Sequence, residues 1–388
     1  MRASTRQSRW EHALAARARG VLSGEAVRTN ARIRGLWSAF SVALAVVGCS
    51  PGVLIEAPPT GPTGTGGDGG AGGEGAGGEG AGASGPVSCD GAMTLADGQD
   101  LSHHIALDAT HVYWTTDGLT SSVERTPKCG GELETLYEGP DFVDIAQSLA
   151  VDDTTVYWVG GLGNGDWGVR SVPKGGGALT DLAGGFDQVG SIAIDGDHVY
   201  FASNCGGDEV CIQRVSKTGG TVTTMAAGLS SVVDLTLDAT HVYWIGYPAY
   251  GQIMRTPKAG GPVEELSWMQ EQPQSLAVDD QFVYVAATKD SVDVHVVKVP
   301  LAGAPEPTIL VSNVHGSPGD IAVDATHVYY AVGPALDGPR AIFEVPKTGG
   351  TPAEITPTQS WPYALAVDDT AVYFTNDTWQ GNVKRAPK

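Results

Sequence analysis

The sequence predicts an all-β fold, a seven-bladed β-propeller with four antiparallel strands per blade. Two observations predict it. One ten-residue phrase recurs seven times: a short apolar run ending in Asp, a turn, then Val-Tyr-aromatic. Its central tyrosines, Tyr113, Tyr157, Tyr200, Tyr243, Tyr284, Tyr329 and Tyr373, are spaced by 44, 43, 43, 41, 45 and 44 residues. A fixed period in the low forties with strand-like content is the mark of one blade per repeat.

Each strand follows from the phrase. The first run, for example Ser148-Leu-Ala-Val-Asp152, is too short for a helix and reads as the innermost strand. Asp-Ala-Thr-His or Asp-Asp-Thr-Thr is turn chemistry, because short polar side chains bond their own backbone. Val-Tyr-Trp, β-branched and aromatic, is the second strand. The third ends in Pro-Lys, as at Val169-Arg-Ser-Val-Pro-Lys174, and Gly-Gly turns the chain into a more polar fourth strand suited to an outer edge.

The ends complete a ring. The last repeat stops after its third strand at Lys384-Arg-Ala-Pro-Lys388. Upstream of the first repeat, Ala92-Met-Thr-Leu-Ala-Asp-Gly98 resembles the fourth-strand segment Leu133-Glu-Thr-Leu-Tyr-Glu-Gly139. The N-terminal strand is therefore expected to supply the outer strand of the last blade, with residues 92–97 beside 382–387. Closure removes open sheet edges.

Composition divides the chain into residues 1–48, 49–86 and 87–388. The leader carries eight arginines before Leu36, then an apolar stretch from Leu36 to Val47. That stretch is too short to span a bilayer and suits a signal peptide. It ends in Val46-Val-Gly-Cys49 followed by Ser50, which resembles a bacterial lipoprotein cleavage box. The resemblance implies lipidation of Cys49, a membrane anchor and a place in the cell envelope, at the outer membrane. Residues 49–86 form a tether. Between Gly61 and Gly85, 14 residues are glycine, and such a segment cannot offset its ordering entropy by burial.

The leader holds eight of the 23 basic and two of the 44 acidic residues, so the remainder carries about −27. So acidic a chain repels nucleic acid. With Cys49 lipidated, four cysteines remain. Cys205 and Cys211 flank one hairpin turn and suit a disulfide; Cys89 with Cys129 follows by elimination as a second. No paired Cys-x-x-Cys or adjoining histidines point to a metal, and no cofactor is expected. The protein is expected to be a monomer.

His111-Val-Tyr-Trp-Thr-Thr116 and Tyr373-Phe-Thr-Asn376 resemble the YWTD repeats of low-density-lipoprotein-receptor propellers. Two departures stand out. Thr116, Gly160, Gly246 and Ala287 occupy the position of the family's Asp, and that family has six blades. Cleavage box, glycine tether and Pro-Lys-x-Gly-Gly turns together resemble the propeller lipoproteins of bacteria with large genomes. Neither resemblance carries over a catalytic residue.

Asp-x-x-His recurs at Asp108/His111, Asp195/His198, Asp238/His241 and Asp324/His327. It reads as a repeated turn, since identical turns around a rim do not converge. The informative residues are those that do not repeat, on loops joining second to third strands and fourth to first strands. These loops emerge on one face around the channel mouth. Their aromatics Trp167, Tyr250, Trp268, Trp361 and Trp379 are the candidate anchors for a protein, peptide or glycan ligand bound without catalysis. In an alternative lyase or hydrolase reading, His103, His104 or His315 is the base and Asp144, Asp234 or Asp320 its carboxylate. A third reading is a structural envelope protein.

Overall fold

The computed structural model describes residue 89 and residues 91–388, apart from 119, 140–147, 164, 208, 247–250, 270, 291, 305 and 334–339. The leader, the tether, Cys49, Asp144 and Tyr250 lie outside the described residues. The rest forms seven four-stranded antiparallel sheets, a seven-bladed β-propeller. Blades 1 to 6 span 102–138, 148–186, 189–229, 232–269, 272–315 and 317–354 in order. Blade 7 takes three strands from 362–387 and its fourth from Met93–Gln99. The pairing runs Met93 to Arg385, Thr94 to Lys384, Ala96 to Val383 and Asp97 to Asn382, as the orphan strand predicts.

Period-two alternation explains the Val-Tyr-aromatic strand. In each blade the tyrosine faces one neighbour and the following residue the other. Tyr113 of blade 1 packs with Trp158 and Val172 of blade 2. Trp114 turns the other way, onto Tyr373 and Ala371 of blade 7 and Leu95 of the N-terminal strand. Each of the seven blade junctions has its own apolar cluster.

The repeated Asp turns hold the opposite end of each junction. Asp108 Oδ1 accepts the N–H groups of Thr110 and His111, both at 2.7 Å, and Oδ2 accepts the Tyr113 hydroxyl at 2.7 Å. All seven blades repeat the Asp–Tyr bond. In six, the lysine after the third strand of the following blade joins them, preceded by proline in five and by Ser216 at Lys217. Its ammonium lies 2.6–3.3 Å from the aspartate and 4.7–5.6 Å from the centre of the tyrosine ring. Lys128 on Asp368 closes the ring. Four accepted bonds and a nearby ammonium hold the Asp108 carboxyl well below its ordinary range, although partial burial opposes them.

Blade 5 breaks the pattern. Its third strand ends Pro300-Leu301, so Asp238 of blade 4 receives no lysine. Leu301→Lys is expected to raise Tm by about 2–3 °C, from a half-buried ion pair of about 1 kcal/mol. Thermal unfolding in an Asp238→Asn background checks it: a gain that persists there does not come from this pair.

Two disulfides join Cys205 to Cys211 and Cys89 to Cys129, with Cα–Cα separations of 5.8 and 5.2 Å. The second ties the approach to the N-terminal strand to the turn after the third strand of blade 1, and so spans the ring's seam.

Candidate functional site

The innermost strands share one register, with Ile105, Leu149, Ile192, Leu235, Leu276, Ile321 and Leu365 at the same level. The preceding residues form one layer around the channel: His104, Ser148, Ser191, Asp234, Ser275, Asp320 and Ala364. In six blades a bulge interrupts the ladder here. A bulge frees backbone groups and re-aims side chains. The freed N–H groups find partners in the preceding blade: Ile192 donates to Ser148 Oγ, Leu276 to Asp234 Oδ2 and Leu365 to Asp320 Oδ2.

Asp234 and Asp320 therefore act first as clamps between innermost strands. Each also accepts the N–H of its own successor, Leu235 and Ile321, at 2.8 Å. Ser275 stands between them. Its hydroxyl donates to Asp320 Oδ1 at 2.7 Å, and its oxygen lies 3.3 Å from Asp234 Oδ2. Burial in the narrow channel, then the charge of Asp320, pushes Asp234 up to about 7. Burial also raises Asp320. The two titrate as a pair that holds a proton far above the ordinary carboxylate range. His104, in the same layer, is pushed down to about 3 by burial and by His103, so it is neutral at pH 7.

A second group lies at the mouth, on the variable-loop face, where blade 7 meets blade 1. His103 Nδ1 is 3.6 Å from Asp377 Oδ2, and its ring stands edge-on to Tyr363 with centroids 6.0 Å apart. Asp117 and Asp377 end the second strands of blade 1 and follow that of blade 7, at equivalent places. Burial raises both, and His103 opposes the rise. Tyr363 is raised to about 12 by burial, with further contributions from the charges of Asp377, Asp320 and Asp234.

Blade 7 exposes aromatic surface at its variable-loop end, with Trp361 turned toward Gly333 of blade 6 and Tyr363 toward His103 of blade 1. Trp361 is 44% exposed, Tyr363 39% and Trp379 52%. The loop carrying Trp379 is anchored by Asp377 N–H to Trp361 O at 2.8 Å and Gln380 N–H to Asp100 Oδ1 at 2.8 Å. The other candidate anchors lie elsewhere. Trp167 is half-buried against the core between blades 2 and 3. Trp268 borders a shallow groove on the outer strand of blade 4, with Glu265, Leu266, Ser267, Gly303 and Ala304.

The histidines take partners other than those expected from sequence. His103 meets Asp377, and His315 meets Asp293 at 3.2 Å on the outer edge of blade 5. Neither meets Asp234 or Asp320. His295, fully buried in blade 5, lies 2.9 Å from Glu271, a pair the sequence does not announce. Asp117 and Asp377 carry one weak signal: they are the aspartates found four residues after a repeat tyrosine. Among the described residues, no group of three or more His, Cys, Asp or Glu side chains is arranged to hold a metal.

No family model matches the chain, and no curated protein sequence is similar to it. Solved structures share its fold. Virginiamycin B lyase from Staphylococcus aureus aligns with a TM-score of 0.58 at 13% identity, covering 76% of this chain and 98% of that one. An oligogalacturonate lyase in complex with manganese gives 0.58 at 12% identity, over 77% and 98%. A Mycobacterium tuberculosis puromycin-hydrolyzing peptidase gives 0.59 at 12% identity, over 77% of this chain and 53% of that one. Identities this low establish the propeller fold alone.

Proposed function

We propose that the chain is an exported, lipid-anchored propeller lipoprotein, monomeric and held at the outer membrane through Cys49. Its variable-loop face captures a peptide, protein or glycan without transforming it. The observation that carries this reading is the exposed aromatic surface of Trp361, Tyr363 and Trp379, all on blade 7 at the variable-loop face. Large exposed aromatic surface is characteristic of binding anchors. The two disulfides fit an oxidising compartment, and the cleavage box and tether fit an anchored propeller. The opposite face needs no ligand, because its aspartates are engaged within the fold.

A glycan and peptide array on the full chain identifies the ligand. Trp361→Ala and Trp379→Ala are then expected to weaken capture at least tenfold, with Tm changes of only about 2 °C, since both side chains are largely exposed. His111→Ala and His241→Ala, on the opposite face, are expected to leave capture unchanged. Loss with the histidine variants and silence from the tryptophan variants would place the site on the wrong face.

A lyase or hydrolase reading draws on His103 beside Asp377, and on the fold shared with two lyases and a peptidase. His103 is then the general base and Asp377 its orienting carboxylate. Mass analysis of the array-selected ligand after incubation separates the readings. A product that disappears with His103→Ala replaces capture by catalysis.

A further inference from the structure

We infer that the outer edge of blade 4 carries a separate binding site, for a neutral pyranose unit of a glycan, stacked on the indole of Trp268 and hydrogen-bonded by Gln252 and Glu265. The site lies apart from the aromatic surface of blade 7 and does not rest on it.

The strand register brings the three side chains together. On the outer strand of blade 4, Glu264–Met269, Trp268 pairs with Gln252 and Glu265 pairs with Met254. Gln252 and Met254 are two residues apart on the neighbouring strand, so Trp268, Gln252 and Glu265 share one face of the sheet. Directly opposed residues stand about 5 Å apart at Cβ, which sets Gln252 beside Trp268. Gln252 Nε2 donates to Glu265 Oε2 and holds amide and carboxylate side by side. Trp268 is 40% exposed. The pair offers acceptor oxygens on both groups and one further N–H. That set matches vicinal hydroxyls, each of which donates and accepts, while the indole face covers the C–H face of the sugar ring.

A groove runs along the same edge, lined by Glu265, Leu266, Ser267, Trp268 and by Gly303 and Ala304 of blade 5. A bulge interrupts the pairing between Ile253 and Met254, and the Leu266 carbonyl accepts the Ala304 N–H at 2.9 Å. Among the described residues, no other blade's turn donates a backbone bond to the preceding outer strand. Arg255 steadies this turn, donating to Leu301 O at 2.6 Å and to Glu264 Oε2 at 2.7 Å. The groove is therefore held in place before any ligand arrives, which lowers the entropy that binding costs. One of its lining residues, Ser267, is 2% exposed and its hydroxyl has no hydrogen-bond partner. A buried hydroxyl left unpaired is unfavourable and gains from a ligand hydroxyl.

Other ligand classes fit this edge less well. An extended peptide adds to a sheet through consecutive open backbone groups, and here Ala304 already occupies the Leu266 carbonyl in mid-strand. An acidic sugar meets Glu265 and a chain of net charge −21. A neutral sugar needs neither an open strand edge nor a counter-charge.

Calorimetric titration of the full chain with neutral trisaccharides of glucose, galactose and mannose tests this. At least one is expected to bind saturably with Kd below about 1 mM, and trigalacturonate about tenfold more weakly or not at all. Trp268→Ala is expected to weaken the bound trisaccharide by about tenfold, Trp268→Phe by about threefold and Gln252→Leu by about fivefold, with Tm changes of only about 2 °C. Trp361→Ala is expected to change nothing. Trisaccharide binding that survives Trp268→Ala and Gln252→Leu but disappears with Trp361→Ala would place the sugar on blade 7. That result overturns this inference and supports the capture reading. Binding of none of the three trisaccharides, or equal binding of trigalacturonate, overturns it as well and leaves the capture reading to the array.

Discussion

Deleting residues 87–98 is expected to unfold the propeller rather than trim it. The segment holds most of the strand that completes blade 7, with Leu95 and Ala96 buried against Trp114, Tyr373 and Val383. It also holds Cys89, whose bridge to Cys129 closes a 40-residue separation. Chain-entropy reasoning gives that bridge about 4 kcal/mol. Burying the two side chains contributes about 3 kcal/mol, and the strand's ladder bonds at about 1 kcal/mol each several more. The loss is on the order of 10 kcal/mol, comparable with the whole stability of a typical domain. It falls at the one junction where ends of the chain meet, and it leaves Gly381–Pro387 as an open edge. Circular dichroism on heating should show no cooperative transition for the deleted chain. Cys89→Ser with Cys129→Ser isolates the bridge and should lower Tm by only about 5–10 °C. If the deletion costs no more than the cysteine pair, the strand does not close the ring.

This closure was legible because it is a matter of counting. A repeat short of one strand and an orphan strand of matching pattern have one economical solution. The same holds for Cys205 and Cys211, which flank one hairpin turn and are joined by a disulfide. The lysines at six blade junctions, five of them visible as Pro-Lys, were not interpretable, because each partner lies in the previous blade, 66 residues from Lys174 in the case of Asp108. Asp234 and Asp320 stood out in sequence because they break the repeat, and the expected partner was a histidine. Their partners are instead backbone N–H groups freed by bulges, and Ser275. A bulge re-aims a side chain without leaving a mark in an apolar run. The seam cluster was half visible: His103 was a candidate, whereas Asp117 and Asp377 looked like ordinary strand ends.

Stability should fall in acid and stay nearly level from about pH 5 to 8, because two sets of aspartates and His104 titrate against one another. The turn aspartates, Asp108, Asp152, Asp195, Asp238, Asp279, Asp324 and Asp368, are held below their ordinary range. A carboxyl lowered by folding contributes stability above its unfolded value near 4, and that contribution is lost as acid protonates it. The channel pair works in reverse. Asp234 sits at about 7 in the folded chain against 3.8 unfolded, so the folded state binds the proton more tightly. That contribution is complete below about pH 4 and is lost as pH rises through 7. A shift of this size amounts to at most about 4 kcal/mol, less what channel water screens. His104 works against this: held at about 3 in the folded chain against 6.5 unfolded, it adds stability as pH rises to 6.5, so the Tm should change by only about 2 °C between pH 5 and 8. Asp234→Asn removes its own titration and one accepted bond, so it should melt lower at pH 5 and then gain several degrees by about pH 8 as His104 acts without its counterweight. A variant whose Tm tracks that of wild type across this interval would show that the Asp234–Ser275–Asp320 set does not hold a proton in the folded channel.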